Sequence, residues 1–196
     1  RHRSYYIGLA DDADRRLDTP EQRDALDLLE AESANFGRAF AVALAAGDAA
    51  GGHALTGALG RFWRWRGRAR DALGWFERLR ALPGEAVATP ERVRSLLAEG
   101  LLLQDQRHYA EADAAFEQAL LDAHALGDDA LVASARVDRA IVAWRRGDLA
   151  TARSLLEAAR DAYRALGRTA ALAGTLGNLG TVARDAGDLA TAHACF

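Results

Sequence analysis

A repeat of 40 residues constrains the fold of this chain more than any other feature of its sequence. The segments DLATARSLLEAA (148–159) and DLATAHACF (188–196) are nearly the same text at an offset of 40. The same offset relates three kinds of residue across four units: an alanine, an aromatic residue or leucine, and a turn residue. These series are Ala72, Ala112, Ala152, Ala192; Phe76, Phe116, Leu156, Phe196; and Gly67, Arg107, Gly147, Gly187. A period of about 40 residues is typical of a solenoid.

The composition predicts that each unit is built from helices. Half of the residues are hydrophobic, alanine and leucine dominate them, and β-branched residues are sparse. Helices approach within ~8 to 10 Å only where the side chains at the crossing are small. We therefore expect the small residues of the first helix to lie against the alanines of the second. The first-helix residues are Gly60, Gly100, Ala140 and Gly180, and the alanines are the first series above.

Local signals predict where these helices begin and end. Asp148 and Asp188 follow the turn glycines and are placed to cap the second helix of their units. Six residues beyond a 34-residue core appear after Leu126 and Leu166. Since each insert begins with glycine, we expect a longer second helix that ends in a left-handed cap at Gly127 or Gly167.

The unit resembles the tetratricopeptide repeat (TPR). A Leu-Gly pair in the first helix precedes a Gly-Asp turn, followed by Tyr/Leu-x-x-Ala and an aromatic residue four positions later. The resemblance implies an all-α fold, a right-handed superhelix of antiparallel helical hairpins. A HEAT-type solenoid has a similar period, but the Gly-Asp-Leu-x-x-Ala turns favour TPR. We expect four repeats over 51–196, the last one truncated, after a helical connecting segment over 1–50.

The front of the chain is predicted to be helical outside the repeat register. RSYYIGLADDADRRL reads as one helix. Thr19 and Gln22 form a capping box with Pro20 at the first helical position, which predicts that a second helix begins there. We expect this helix to break near Ser33 or Asn35 and to end near residues 46–48.

The order of short motifs through this front segment is similar to that of multidomain bacterial regulators. The motifs are Tyr5-Tyr6-x-x-Leu9-Ala10, Leu29-Glu30-Ala31-Glu32-x-x-Asn35-Phe36, Ala43-Leu44-x-x-Gly47-Asp48 and Phe62-Trp63-x-x-Arg66-Gly67. In such proteins an AAA-like (STAND) switch ATPase and a winged helix precede a TPR sensor, as in SARP/AfsR-like and large LuxR-type (MalT-like) activators. The resemblance implies a transcription-regulating sensor that binds a protein or peptide, other domains of the same regulator, or a small-molecule effector. A TPR scaffold of a nucleotide cyclase or protein kinase is the alternative, which sequence upstream of Arg1 would distinguish.

The composition excludes several kinds of chemistry and indicates the cellular setting. All 25 basic residues are arginine, so the lysines of P-loops, Schiff-base enzymes and kinases are absent. The histidines lack metal-ligand spacing, and we expect no cofactor, metal or catalytic activity. The single Cys195 and the lack of a long apolar run indicate a cytoplasmic protein that does not engage a membrane. Because the chain lacks methionine and ends within a helical pattern, we expect it to be a fragment.

The TPR register places one set of polar and aromatic residues on the concave wall, which the first helices of the repeats line. The set is Arg61, Arg64, Trp65, Arg94, Gln104, Asp105, Asp138, Trp144, Arg145, Asn178, Arg184 and Asp185. Arginine pairs with carboxylates in a bidentate geometry and tryptophan adds apolar contact, so this wall suits a peptide or a partner domain. A solvated groove without a ligand is the alternative.

Five arginines alternate with aromatic residues between Arg61 and Arg70. This pattern superficially resembles a surface on which nucleic-acid bases stack. However, the register assigns Trp63 to the core and Gly67 to the turn, and the net charge of -3 provides no overall attraction for a polyanion. We therefore expect an intramolecular role, with an anionic partner and nucleic acid as the lesser alternatives, and no direct nucleic-acid binding.

Overall fold

A computed structural model of the chain describes residues 2–84 and 86–196. Eleven helices and no strand make up this described part. Their bounds are α1 His2–Arg16, α2 Gln22–Ala31, α3 Ser33–Ala45, α4 Ala49–Trp65, α5 Ala69–Arg80, α6 Pro90–Asp105, α7 Tyr109–Leu126, α8 Asp129–Arg145, α9 Leu149–Ala165, α10 Thr169–Asp185 and α11 Leu189–Cys195. None of these helices is long and apolar enough to span a lipid bilayer.

The helices from α4 onward form four antiparallel hairpins, and the predicted all-α, right-handed superhelix of the TPR type is confirmed. The pairs are α4 with α5, α6 with α7, α8 with α9 and α10 with α11. Within each pair, the turn contains a residue with a left-handed backbone: Gly67 (φ 65), Arg107 (φ 64), Gly147 (φ 83) or Gly187 (φ 80). Arg107 adopts this conformation without the freedom that glycine has.

The predicted local signals at the helix ends are confirmed. The Asp148 and Asp188 carboxylates each accept a hydrogen bond of 3.0 Å from the backbone of a threonine three residues later. Second helices α7 and α9 contain 18 and 17 residues, whereas α5 contains 12. Gly127 and Gly167 follow α7 and α9 with φ of 67 and 65, as the left-handed cap requires.

The predicted partners of the small residues in the first helices are wrong. A Cβ atom added to Gly100 would lie 2.4 Å from Cε1 of Phe116, and one added to Gly180 would lie 2.9 Å from the Phe196 ring. The glycines therefore make room for the aromatic residue of the second helix rather than for its alanine. At Gly60 the nearest atom belongs to neither, since it is Cβ of Ala98 on α6, at 2.4 Å.

The first pair departs from the regular stack. From α6 onward each helix packs mainly on its neighbours in sequence, whereas α4 packs mainly on α6 and much less on its partner α5. Gly57 and Gly60 allow this close approach, and Thr56 shares a buried hydrogen bond of 2.7 Å with Ser95 across it. The segment 81–89 joins α5 to α6, and its length lets α5 lie away from α6.

The three front helices share one hydrophobic core with α4 and α5. Leu17 of the turn after α1, Leu29 of α2 and Phe40 of α3 are buried in the same cluster as Leu59 and Phe76. The predicted break lies at Glu32, between α2 and α3. The division of the chain at residue 50 stays a prediction.

The predicted capping box at Thr19 is wrong. Helix α2 begins only at Gln22, and its N-cap residue Glu21 makes no capping hydrogen bond through its side chain. The Thr19 hydroxyl instead accepts a hydrogen bond from the Glu21 amide at 3.2 Å and donates one to the Arg16 carbonyl at 2.8 Å. The hydroxyl therefore stabilises the turn between α1 and α2 rather than the first turn of a helix.

Candidate functional site

A cleft of about 450 Å³ opens between α4 and α6, where the register places the start of the concave wall. Arg61, Arg64, Trp65 and Asp105 line it, and all four belong to the predicted set. The Arg64 guanidinium donates two hydrogen bonds to the Asp105 carboxylate, at 2.8 and 3.2 Å. Trp65 is 60% exposed beside this ion pair. The cleft thus combines a large apolar surface with a fixed pair of opposite charges.

A second cross-repeat contact of the same register lies between α8 and α10. The Trp144 indole donates a hydrogen bond of 2.8 Å to the Asp185 carboxylate, and this lowers the pKa of Asp185 below its usual range. Arg184 also donates to Asp185 at 3.2 Å, and Arg145 lies 4.6 Å from the centre of the Trp144 ring. These four residues, all predicted, form one cluster of aromatic and charged groups.

Both contacts join residues that are 41 positions apart. A residue near the end of one first helix reaches the following register position in the next first helix, without contacting the second helix between them. The repeat therefore produces a ladder of polar contacts along the concave wall. These contacts hold neighbouring first helices together and also fix the side chains that face the wall.

Asp138 on α8 is the predicted wall residue with the most unusual environment. Its burial raises the pKa of the carboxyl to about 7, and the opposing effect of the Arg64 guanidinium is smaller. Asp138 in turn contributes to the raised pKa of Tyr163, whose main cause is burial. Among the described residues, no side chain donates a hydrogen bond to Asp138. This carboxyl can therefore accept a hydrogen bond from a ligand.

The remaining predicted residues do not join these clusters. Arg94 donates to Glu91 at 3.4 Å and lines a different pocket, between α1, α4 and α6. The Oε1 atom of Gln104 is buried and has no hydrogen-bond partner among the described residues. Asn178 is half-buried on α10.

The arginines between residues 61 and 70 are held mainly by carboxylates of the front helices. Arg61 binds Asp18 on the turn after α1, Arg66 donates to Asp27 on α2 at 2.7 Å, and Arg68 binds Glu30 of α2. Arg64 binds Asp105, as described above. Trp63 is buried. The predicted intramolecular role is confirmed for these four arginines, three of which fasten the front helices to the first repeat.

Sequence reasoning missed the carboxylates that complete these pairs. The ladder had a signal, since Asp105 and Asp185 both follow the wall position by one residue in the next unit. The acidic residues of α1 and α2 had none, because these helices lie outside the repeat. In the described part of the chain, no group of three or more His, Cys, Asp or Glu side chains could hold a metal ion.

Comparison with protein families identifies the repeat in the second half of the chain. Residues 131–196, which cover the third and fourth helix pairs, match the family model described as tetratricopeptide repeat. A search of curated proteins found no match.

Solved structures of low sequence identity share the fold over nearly the whole chain. The crystal structure of BtubC (BKLC) from P. vanneervenii is similar with a TM-score of 0.72 at 20% identity, over 98% of this chain and 87% of that one. A putative kinesin light chain from Podosopora anserina, with nearly identical TPR-like repeats, gives TM-scores of 0.69 and 0.67 in two crystal structures, the first of which is of a point variant. Each is 15% identical to this chain and matches all of it, over 92% and 93% of the respective structures.

Proposed function

We propose that this chain is a protein-interaction module that binds a protein or peptide partner on its concave wall. The observation that carries the proposal is the cleft at Trp65, where a ring that is 60% exposed adjoins the bidentate Arg64–Asp105 pair. Buried tryptophan and arginine dominate the binding energy of many interfaces. An exposed tryptophan held beside a fixed ion pair loses little conformational freedom on binding.

The arrangement of charges on this wall indicates what the partner must present. Arg64 and Asp105 neutralise each other, as do Arg184 and Asp185, so a partner gains little from a single charge against either pair. Asp138 instead takes part in no such pair among the described residues and has an acceptor available. We therefore infer a partner with an apolar side chain for Trp65 and a hydrogen-bond donor for Asp138.

We further propose that the module is the sensor region of a bacterial, cytoplasmic transcriptional regulator with a switch ATPase. The motif order of the front segment supports this proposal. In this role the partner is another domain of the same regulator, or a small-molecule effector binds the wall and changes that contact. The chain itself binds without turnover. A ligand shifts such a switch only by its difference in affinity for the two states.

Binding measurements on wall variants test the interaction proposal. The bait is the rest of the same polypeptide, produced separately, and the chain is titrated against it by isothermal titration calorimetry. We expect Trp65→Ala combined with Trp144→Ala to weaken binding by at least about tenfold, because hot-spot tryptophans cost more than 1 kcal/mol when truncated. Leu121→Ala, at a residue that is 58% exposed on second helix α7, is the matched control. Equal losses in both variants, or no binding by the unmodified chain, would contradict the proposal.

A further inference from the structure

A second groove lies on the opposite side of the first two repeats, where the stack is irregular. Its walls are α5 and α7 and its floor is α6, and we call it the outer groove. Its volume is about 640 Å³, within the ~300 to 1,000 Å³ of typical ligand sites. It exists because α4, rather than α5, covers α6. No residue of the predicted concave wall lines it.

The shape of the outer groove suits a stretch of polypeptide rather than a compact small molecule. Along the floor its lining residues extend from Arg92 to Leu103, a distance of about 16 Å at the helical rise. Leu73 of α5 and Leu96 and Leu103 of α6 supply apolar surface, and Ala114 and Ala115 leave the α7 wall low. A segment that lies along this groove can therefore insert apolar side chains between the two walls.

The charges in the outer groove have an unequal distribution. The Arg80 guanidinium binds the Glu99 carboxylate, and Arg92 is paired with Asp122, so these charges are neutralised within the protein. Glu77 on the α5 wall and Glu111 on the α7 wall are both exposed. Neither forms an ion pair within residues 2–84 and 86–196. The open charge of the groove is thus two carboxylates, one on each wall.

We propose that the outer groove is a second docking site, which binds a partner segment that carries apolar side chains flanked by basic ones. Its leucines contact the apolar side chains, and the carboxylates on the two walls attract the flanking bases. An interface with an apolar centre and a charged rim has this composition. The charged rim also increases the association rate with a basic partner. The site is independent of the concave wall, so either can fail without the other.

A synthetic amphipathic helix tests the charge and shape of the site. The probe is a fluorescein-labelled peptide of about 14 residues made of leucine and lysine, long enough at the helical rise to span the groove, and its counterpart replaces each lysine by glutamate. We expect the basic peptide to bind the full chain in a fluorescence anisotropy titration at least about tenfold more tightly than the acidic one, because like charges across an interface are strongly disfavoured. Equal binding of both, or no binding of the basic peptide, would overturn the proposal.

Two variants test whether binding takes place in the outer groove. We expect Glu77→Gln combined with Glu111→Gln to weaken binding of the basic peptide by about threefold to tenfold, as the loss of exposed charge pairs at a rim does. Asp24→Asn combined with Asp129→Asn removes the same charge at exposed residues elsewhere and should have no such effect. Equal weakening by the two double variants would show non-specific attraction and overturn the proposal.

The second variant, Ala114→Trp, places an indole at the groove and should abolish binding. Ser154→Trp is its matched control, because Ser154 occupies the same register position one repeat later and is also exposed. Circular dichroism establishes that both variants fold. Two results would overturn the proposal: retention of binding by folded Ala114→Trp, or loss of binding in the Trp65→Ala and Trp144→Ala double variant. Dimerisation of the chain through this groove, detected by light scattering and abolished by Ala114→Trp, would also overturn it.

Discussion

Replacing Gly100 by alanine should destabilise the second repeat, although alanine favours a helix more than glycine does. The added Cβ atom would lie 2.4 Å from Cε1 of Phe116 and 2.7 Å from Cδ1 and Cζ. Carbon atoms in contact are normally ~3.5 to 4.0 Å apart, so the ring would have to retreat by about 1 Å. Phe116 is fully buried, and its surroundings leave no space for that movement.

The expected magnitude follows from two opposing contributions. Overfilling a packed core costs about 1 to 3 kcal/mol, whereas replacing glycine by alanine within a helix gains about 1 kcal/mol. Gly174→Ala provides the reference, since no atom lies within 4 Å of its added Cβ. The helical gain is common to both variants. The difference between their free energies of unfolding therefore isolates the cost of the contact with Phe116, about 1 to 3 kcal/mol.

Urea unfolding followed by circular dichroism measures this difference, and a second substitution tests its cause. The third repeat has Ala140 and Leu156 at the positions of Gly100 and Phe116, and both are buried in one cluster. Combining Gly100→Ala with Phe116→Leu reproduces that pair, so the double variant should be more stable than the sum of the single effects predicts, by about 1 kcal/mol. If Gly100→Ala is as stable as Gly174→Ala, the proposed contact does not limit packing.

Three further substitutions test other features by the same unfolding measurement. Arg107→Gly should raise the free energy of unfolding by about 1 kcal/mol, because a left-handed backbone strains any residue with a Cβ atom, and Gly147→Arg should lower it; stabilities that do not move in opposite directions would contradict this. Asp122→Ala should cost about 3 to 5 kcal/mol, because it leaves Arg92 buried without this partner, whereas Asp122→Leu with Arg92→Met should recover most of the loss; a double variant as unstable as the single one would refute the explanation. Asp138→Asn should reduce the dependence of stability on pH. The pKa of Asp138 is about 7 in the folded chain and about 3.9 when unfolded, so the folded state holds the proton more strongly and stability falls as pH rises between these values. Unchanged pH dependence in the asparagine variant would show that Asp138 is not the group responsible.

The hairpins and their ends could be predicted from the sequence because their causes are local. An Asp one residue after a turn glycine can reach the amides of the next helix whatever the rest of the chain does. Likewise, Gly127 and Gly167 end their helices through the conformation of a single residue. Such signals recur every 40 residues, so each unit supports the interpretation of the others.

The position of α4 could not be predicted in this way. Gly60 and Gly100 occupy the same register position, yet one lies against Ala98 of another repeat and the other against Phe116 of its own. The difference arises from the segment 81–89, which separates α5 from α6 and lets α4 pack there instead. A repeat pattern describes the average unit, and it contains no information on a connection that occurs once.

The concave wall shows the same limit on a smaller scale. The register places Arg61 and Arg64 on one face, and both line the cleft. Their partners, however, come from different sources. Asp105 belongs to the next repeat, at a spacing that recurs at Asp185, whereas Asp18 belongs to the front segment. Sequence therefore predicts which side chains face the wall better than which charges remain available there.

One register position connects the packing of the stack with both proposed sites. The first and fourth repeats have Leu59 and Leu179 there, whereas the middle repeats have Glu99 and Arg139. Each charged residue pairs with the preceding second helix, Glu99 with Arg80 and Arg139 with Asp113 at 2.8 Å.

These pairs make the junctions between repeats different from one another. A leucine in place of Glu99 would favour closure of α5 onto α6, because apolar surface there would be shielded from water. The ion pair instead places charges on the floor of the outer groove, where Arg80 remains about half exposed. The same residue that weakens the apolar junction thus keeps the groove open, while the concave wall on the other side retains its ladder of contacts.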